Sequence, residues 1–259
     1  MDIKELIYQE NNTKIGKECK YIEPNIKKDT LLYLNGEIVG FYISSVSGNL
    51  KSLLDIANNE FLSERVPKEK MNRGTEKMAI ANGEKWIEQY STVLGSRAPK
   101  PHMRMPYPSQ TRVHTVKTAR TFIKAMLMAC YESESILKNI MPIQYERQKQ
   151  IFEKVLKEWR FGNLYTSSIS NYNISAPYHR DNANAKNTVN IILTKRLNSK
   201  GGCLNVPDYG VTFEQADNSM LVYPAWMNVH GVTPIIKTHE SGYRNSFIFY
   251  PLKAFLNIT

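Results

Sequence analysis

Two histidines and one aspartate have the order and spacing of an iron-binding facial triad. His179 and Asp181 flank a single residue, and His230 follows farther along the chain. Side chains two positions apart on a strand point to the same side, so one strand end can present both His179 and Asp181. Two imidazoles and one carboxylate hold Fe(II) from one side and leave other coordination positions open for substrate and O2.

Arg244 supplies the cation that such a site needs in order to hold a dicarboxylate co-substrate. It lies at the start of the next predicted strand after His230. A lone His-x-Asp pair is common by chance, but a second histidine and an arginine at fitting spacings make chance the weaker explanation. The pattern therefore predicts Fe(II) and 2-oxoglutarate as a pair, before it indicates any substrate.

The positive charge of the chain is unevenly distributed. The net charge is +10, and no acidic residue occurs between Glu88 and Glu132. Such a segment is expected where a polyanion binds, because neutralised phosphates release their counterions. The alternative is a solvated basic surface that only aids solubility, and clustering on one face would decide between the two. The basic residues of this segment are Arg97, Lys100, Arg104, Arg112, Lys117, Arg120 and Lys124, with His102 and His114 among them.

Composition places the chain among ordinary globular proteins. Hydrophobic residues make up 42% and charged residues 22% of its 259 residues. The three cysteines are far apart and form no CxxC pair, which favours neither a disulfide framework nor a zinc site. We expect a monomer in a reducing, cytoplasmic compartment, without an apolar leader segment or a membrane-spanning stretch.

The N-terminal half, residues 1–160, is predicted to form a hairpin and a set of helices. The hairpin covers 31–43, with Asn35-Gly36 at the two positions of a tight turn that require positive φ. Four prolines between residues 97 and 108 exclude regular structure there. The predicted helices cover residues 49–64, 77–90, 115–135 and 144–159.

The C-terminal half, residues 161–259, consists of short β-prone segments separated by Gly, Asn, Asp and Pro. This pattern predicts an antiparallel β sandwich or barrel. We expect a single α+β domain over residues 1–259, in which the N-terminal helices support the β core and residues 97–124 form the basic surface. The predicted strands cover residues 165–174, 187–193, 202–206, 220–224 and 245–251.

Several segments together carry a resemblance to a known family. The segments are, in chain order, 170–174 (SNYNI), 178–184 (YHRDNAN), 201–210 (GGCLNVPDYG), 230–234 (HGVTP) and 243–246 (YRNS). With them, the chain from about Tyr165 to Leu252 resembles the TET/J-binding-protein branch of Fe(II)/2-oxoglutarate dioxygenases, which oxidise the 5-methyl group of pyrimidines in DNA. His-x-Asp, His and Arg alone indicate only the superfamily, whereas the Gly-Gly and His-Gly-Val-Thr-Pro segments indicate the branch.

The resemblance implies a fold and a set of site residues. The fold would be a double-stranded β-helix, a jelly-roll or cupin-like core. The catalytic iron ligands would be His179, Asp181 and His230. Arg244 would pair with the distal carboxylate of 2-oxoglutarate, a bidentate match that lysine could not equal. Ser246, Asn171 and Asn173 would add polar contacts to the co-substrate.

Contacts to the substrate are predicted less directly. Asn182 and Asn184 would either recognise a base edge or shape the turn after Asp181, and the turn chemistry of asparagine favours the second. Trp226 would line the pocket or pack in the core. His239 lies in a polar turn and is the weaker alternative to His230 as a metal ligand. The candidate DNA contacts are Arg97, Lys100, Arg104 and Arg112.

Three functions from different classes compete at this point. The first is a DNA dioxygenase that flips out thymine or 5-methylcytosine and hydroxylates its 5-methyl group. The second is a dioxygenase of the same fold that acts on a protein side chain, such as proline, or on a free nucleotide. The third, a DNA-binding module with a vestigial oxygenase site, is the weakest because every expected ligand is present. The acid-free basic segment favours the first.

Overall fold

Two β-sheets, one large and one small, form the framework of the molecule. The structure is a computed structural model that describes residues 1–71, 81 and 86–258. Within these residues the large sheet has ten strands, the small one has four, and two further short strands pair with each other. The strands are β1 (Asp2–Glu5), β2 (Thr30–Leu34), β3 (Glu37–Ile43), β4 (Glu69–Lys70), β5 (Tyr90–Arg97), β6 (Ser109–Gln110), β7 (Ser167–Tyr172), β8 (Ala176–His179), β9 (Asn190–Leu197), β10 (Ser199–Gly201), β11 (Leu204–Val206), β12 (Val211–Phe213), β13 (Met220–Tyr223), β14 (His230–Val232), β15 (Ile235–Lys237) and β16 (Tyr243–Tyr250).

The strand order produces the predicted double-stranded β-helix. In the large sheet the order is β1-β2-β3-β13-β9-β16-β7-β5-β4, with β6 paired to β5; in the small sheet it is β12-β11-β14-β8. Buried apolar side chains from the large sheet, such as Ile192 and Leu221, pack with Leu204 and Val206 of the small sheet. The two sheets therefore face each other across a shared apolar layer.

Side chains of β16 point alternately to the two faces of the large sheet. One face is covered by helices, and the other borders the space between the two sheets. Phe247 and Phe249 are fully buried in the core beneath the helices. Ser246 and Ile248, their neighbours in sequence, line a cavity on the opposite face. This is the period of two expected for a strand buried on both sides. β16 therefore contributes side chains both to the hydrophobic core and to the wall of the cavity.

Helices cover the outer face of the large sheet. Those in the described part of the chain are α1 (Gly48–Leu62), α2 (Arg120–Ile140) and α3 (Pro142–Phe152). Phe61 and Phe122 lie at the contact between α1 and α2, with ring centroids 6.0 Å apart, and both are fully buried. Burying an aromatic or large aliphatic side chain contributes about 1.5–3 kcal/mol, so this layer anchors the helices to the sheet.

The predicted helix positions are confirmed in outline and wrong at several ends. Residues before α2 form two short 3-10 turns, because the ring of His114 accepts a hydrogen bond from Gly95 N and ties this segment to β5. The helix then runs past its predicted end and stops before Pro142, a residue that disfavours helical backbone at the position before it. The hairpin is confirmed, with φ of 53° at Asn35 and 80° at Gly36.

The region around β5 differs from the sequence prediction. Residues 72–80 and 82–85, which contain most of the predicted helix 77–90, lie outside the described residues. The end of that range is not helical, since Tyr90 begins β5. The segment from Tyr90 to Leu94 is rich in β-branched and aromatic residues, and it pairs with β7 within the large sheet.

Two further observations concern the chain as a whole. Among the described residues, no helix has the length and apolar character needed to cross a membrane. Cys19, Cys130 and Cys203 are all free and buried.

Candidate iron and 2-oxoglutarate site

The two predicted histidine ligands lie side by side on the small sheet. His179 ends β8, His230 begins β14, and the antiparallel pairing of these strands places the two residues directly opposite each other. Their ring centroids are 4.4 Å apart. Asp181 Oδ1 is 3.6 Å from His179 Nε2, and the potential ligand atoms of all three residues lie within 4.8 Å of one another. The fold thus assembles a His-Asp-His cluster that could hold a metal ion.

Backbone carbonyls orient both imidazoles for metal binding. His179 Nδ1 lies 2.8 Å from the carbonyl oxygen of Pro177, and His230 Nδ1 lies 3.0 Å from that of Asn228. A carbonyl only accepts hydrogen bonds, so each Nδ1 carries the proton and each Nε2 keeps its lone pair for a metal. Burial lowers the pKa of His230, and the adjacent His179 lowers it further. A neutral ring is the form that binds metal.

Two buried asparagines hold the carboxylate of Asp181. The side-chain amides of Asn190 and Asn184 donate to Asp181 Oδ2 over 3.2 and 3.4 Å, and Asn184 also donates to Asn190 Oδ1 over 2.9 Å. Both asparagines are 5% exposed or less. Oδ1 is therefore the oxygen that faces His179. Asn184 supports the carboxylate in this arrangement, in line with the turn-shaping alternative, and Asn190 has a role that the sequence did not indicate.

Arg244 is a buried cation that faces the same cavity and has no anionic partner among the described residues. It is 3% exposed, its Nε makes no hydrogen bond, and Nη1 reaches only the carbonyl of Ile174 at 3.5 Å. Burial lowers the pKa of Arg244 to about 9, with a further contribution from Arg196 on the neighbouring strand. Leaving a buried guanidinium unpaired is costly, so the site is suited to an anionic ligand.

A second unpartnered donor lies beside Arg244. Ser246 is two residues farther along β16 and 1% exposed, and its hydroxyl has no hydrogen-bond partner in the described part of the chain. Asn171 on β7 is the cross-strand partner of Ser246 and lines the same cavity. An arginine and a hydroxyl without partners, two residues apart on one strand and lining the same cavity, suit one carboxylate of 2-oxoglutarate.

Two neighbouring residues fix the position of Arg244. Asn173 Oδ1 accepts a hydrogen bond from Arg244 N over 3.0 Å, and Asn173 N donates to Arg244 O over 2.8 Å. Asn173 is thus engaged with the backbone of β16 and does not line the cavity. Gly202 packs against the arginine side chain, where an added Cβ would lie 2.5 Å from Arg244 Cδ. This close approach explains the second glycine of the Gly-Gly segment.

The cavity between the sheets has a volume of about 520 Å³, within the range of roughly 300–1,000 Å³ typical of ligand sites. Its walls include the His-Asp-His cluster, Arg244, and apolar side chains such as Ile169 and Ile192. Asn182 is exposed at its rim. Trp226 does not line it, because the indole nitrogen donates to Thr188 O over 2.9 Å. His239 lies in an exposed turn with Ser241.

Three of the four candidate DNA contacts lie beside this cavity. Arg97, Lys100 and Arg112 are exposed and line a neighbouring cavity of about 550 Å³. Arg104 is exposed and follows a short 3-10 turn, in a left-handed conformation with φ of 58°, outside the lining of that cavity. His114, which lies in the same segment, is half-buried, and its ring accepts a hydrogen bond from Gly95 N of β5.

Comparison with known proteins identifies the family. The model of the TET/JBP family, described as the oxygenase domain of the 2OGFeDO superfamily, matches residues 97–253, more than half of the chain. The chain belongs to the TET/JBP family. This TET/JBP oxygenase is accordingly an Fe(II)/2-oxoglutarate-dependent dioxygenase. No curated protein sequence matches it.

One solved structure shares the fold of the TET/JBP oxygenase at low sequence identity, and two others align with lower TM-scores. NgTET1 from Naegleria, solved in complex with 5mC DNA, has a TM-score of 0.64 and 14% identity, over 96% of this chain and 85% of that one. OsALKBH1 has a TM-score of 0.41 and 10% identity, over 90% and 99% of the two chains. A 2OG-Fe(II) oxygenase-family oxidoreductase from Burkholderia pseudomallei has a TM-score of 0.41 and 14% identity, over 76% and 78%.

We expect replacement of Asn190 by alanine to weaken metal binding by this TET/JBP oxygenase about 10–100-fold, the usual effect of removing a residue that orients a metal ligand. The amide that holds Asp181 Oδ2 at 3.2 Å would be lost, so the carboxylate could rotate away from the histidines. The affinity is measured by titrating the metal-free protein with Co(II) and following its absorbance. Asn49→Ala, an exposed site on α1, is the matched control. Equal affinities of the two variants would contradict this role.

Proposed function

We propose that the oxygenase hydroxylates the 5-methyl group of a pyrimidine, thymine or 5-methylcytosine, in DNA. The observation that carries the proposal is the position of the basic, acid-free segment next to the metal cavity. Arg97, Lys100 and Arg112 line the cavity that adjoins it, and all three side chains are exposed. Basic side chains at the mouth of an oxygenase cavity are suited to a polyanionic substrate, because each phosphate that they neutralise releases counterions.

Each part of the metal cavity then has a role. His179, Asp181 and His230 bind Fe(II), and Arg244 and Ser246 bind the distal carboxylate of 2-oxoglutarate. Once bound, iron and 2-oxoglutarate supply the O2-dependent oxidation of a C–H bond, whereas the protein supplies ligand geometry and orientation and excludes water. Asn171 lies beside Ser246 and adds a polar contact to the co-substrate.

The substrate base must leave the duplex to reach the iron. The ligand cluster lies between two sheets, and His230 is only 4% exposed. A methyl group in the wall of a DNA groove cannot enter such a space while its base remains stacked, so the nucleotide has to rotate out of the helix. The apolar side chains Ile169 and Ile192 offer a surface for the flipped ring. NgTET1, which shares the fold, was solved with 5mC DNA, and this supports DNA as the substrate class.

The test is product analysis with purified protein. The enzyme is incubated with Fe(II), 2-oxoglutarate and duplexes that contain thymine or 5-methylcytosine, and the DNA is then digested to nucleosides for mass spectrometry. We expect a hydroxymethylated nucleoside from at least one duplex and none with His179→Ala. Free nucleotides and a proline-containing peptide form the comparison arms. Oxidation of either of these, with both duplexes left unmodified, would overturn the proposal.

The basic side chains should also contribute to the salt dependence of DNA affinity. We expect the triple variant Arg97→Gln, Lys100→Gln, Arg112→Gln to lower the slope of log affinity against log salt by about 0.9 for each phosphate that is no longer neutralised. Fluorescence anisotropy with a labelled duplex measures the slope.

A triple glutamine variant of exposed lysines elsewhere is the matched control for that slope. Lys4 and Lys28 lie on or near the opposite edge of the large sheet, and Lys14 lies in the N-terminal segment. We expect these three changes to leave most of the slope in place. Equal slopes for the two triple variants would show that the DNA lies elsewhere.

A further inference from the structure

The second cavity adjoins the metal cavity, and the two share one wall. Ala183, Tyr250 and Leu252 line both spaces, and the second one has a volume of about 550 Å³, similar to the first. A polymer with one unit in the metal cavity therefore has an adjoining space of matching size for its next unit. Its other walls come from β5, the proline-rich loop after it, and the 3-10 turn that begins at Arg112.

The lining of the second cavity combines cations with apolar surface. Lys68 joins Arg97, Lys100 and Arg112, whereas Glu69 is the only carboxylate among the described residues that line it. Apolar surface is provided by Met103, Met105 and Val113. Methionine side chains are polarizable and adapt to the face of an aromatic ring. Cations beside an apolar slot suit a phosphate that is attached to a flat ring.

A buried hydroxyl without a partner also lies in this lining. Thr111 is 2% exposed, and its Oγ1 makes no hydrogen bond with any residue that the structure describes. Its backbone is held in place, because Thr111 N donates to Gly95 O over 3.0 Å and Gly95 N donates to the ring of His114 over 2.8 Å. A buried polar group left unsatisfied costs free energy, which a ligand with a hydrogen-bonding edge would recover.

We infer that the second cavity binds the nucleotide next to the flipped pyrimidine on the same strand, with its base against Met103 and Met105, its edge at Thr111 and its phosphate at the basic rim. This inference rests on the proposed function. Adjacency supports it, since the second cavity shares a wall with the metal cavity and is placed to receive the nucleotide next to a base held there. The enzyme then depends on the base beside its target as well as on the target itself.

The test removes the neighbouring base and leaves the phosphate. Duplexes with the oxidisable pyrimidine carry an abasic residue immediately 5′ or immediately 3′ to it, and kcat/KM for oxidation is compared with that of the intact duplex. We expect kcat/KM to fall about 5–100-fold for one of the two positions, the range expected when one base no longer stacks on the protein. Anisotropy titration of the metal-free protein with the same oligonucleotides should show weaker binding for the same one of the two abasic positions.

Variants connect the effect to the cavity. Met105→Ala and Thr111→Val should lower kcat/KM on the intact duplex and be almost insensitive to the abasic residue, whereas Thr238→Val, in an exposed turn, should behave as wild type. If wild type oxidises both abasic duplexes as well as the intact one, the second cavity is not a nucleotide site, although the proposed function stands. If no duplex is oxidised, the proposed function fails, and this inference fails with it.

Discussion

Replacing Asp181 with alanine should abolish metal binding and oxygenase activity together. Asp181 contributes the only negative charge of the three clustered ligands, and its Oδ1 faces His179. Since loss of a residue that merely orients a ligand lowers metal affinity about 10–100-fold, we expect loss of the ligand itself to exceed about 100-fold. Anaerobic titration of the metal-free protein with Fe(II) measures the affinity, and succinate release from 2-oxoglutarate measures the activity.

The folded state of the Asp181 variant needs its own measurement. The amides of Asn184 and Asn190 would lose their acceptor, at a cost of about 1–3 kcal/mol for each buried donor left unsatisfied. Thermal unfolding without metal shows whether the variant still folds, and Asp181→Asn keeps the side-chain volume as a second variant. Asp208→Ala, outside the cavity, is the control. Iron affinity close to that of wild type in both Asp181 variants would exclude this carboxylate as a ligand.

Replacing Arg244 with leucine should separate co-substrate binding from metal binding. Arg244 lies on β16 of the large sheet. Of the described residues that line the cavity, it is the only arginine on a strand. Removing one partner of a buried charge pair costs about 2–5 kcal/mol, so the Kd for 2-oxoglutarate should rise about 30-fold or more. Calorimetry on the Mn(II)-loaded protein without O2 measures this Kd, and the affinity for the metal should stay close to that of wild type.

The same substitution makes a second prediction, which concerns stability. Arg244 is 3% exposed and has no anionic partner within the described ranges. Leucine is shorter than arginine, but it removes an uncompensated buried charge, so the free energy of unfolding of the ligand-free protein should be unchanged or higher. Arg147→Leu, exposed on α3, is the matched control. Unchanged 2-oxoglutarate affinity in Arg244→Leu would contradict the assigned role.

The three members of the His-Asp-His cluster could be predicted as candidate ligands because that prediction depends on residue type and local spacing. His179 and Asp181 are two apart, and His230 is followed by the glycine and proline of a short, recognisable segment. The register pair between His179 and His230 was not predictable, because it depends on the pairing of β8 with β14. The short strand β13 was predicted from its continuous apolar run, whereas β8, β12, β14 and β15 fell outside the predicted ranges because their three or four residues carry too little alternation.

Asparagines show where residue type was not enough. The sequence prediction placed Asn173 at the co-substrate, but its backbone has φ of 55° and its amide is used to hold Arg244. Asn190 went unnoticed because it lies inside a predicted strand, residues 187–193, although its side chain donates to Asp181. The side-chain amide of asparagine can form hydrogen bonds with the backbone of a turn, with a strand or with a ligand. Its role therefore depends on which groups lie near it in the folded protein.

The chemistry proposed for this oxygenase follows from its residue order: three candidate metal ligands, an arginine that suits a dicarboxylate, and a basic segment without acidic residues. Those features depend on which side chains are present and on how they follow one another along the chain. Folding adds the carbonyls and amides that orient the ligands, and it brings some of the basic residues to a second cavity beside the iron site. These features could not be predicted, because burial and proximity arise from packing between strands that are distant in the chain.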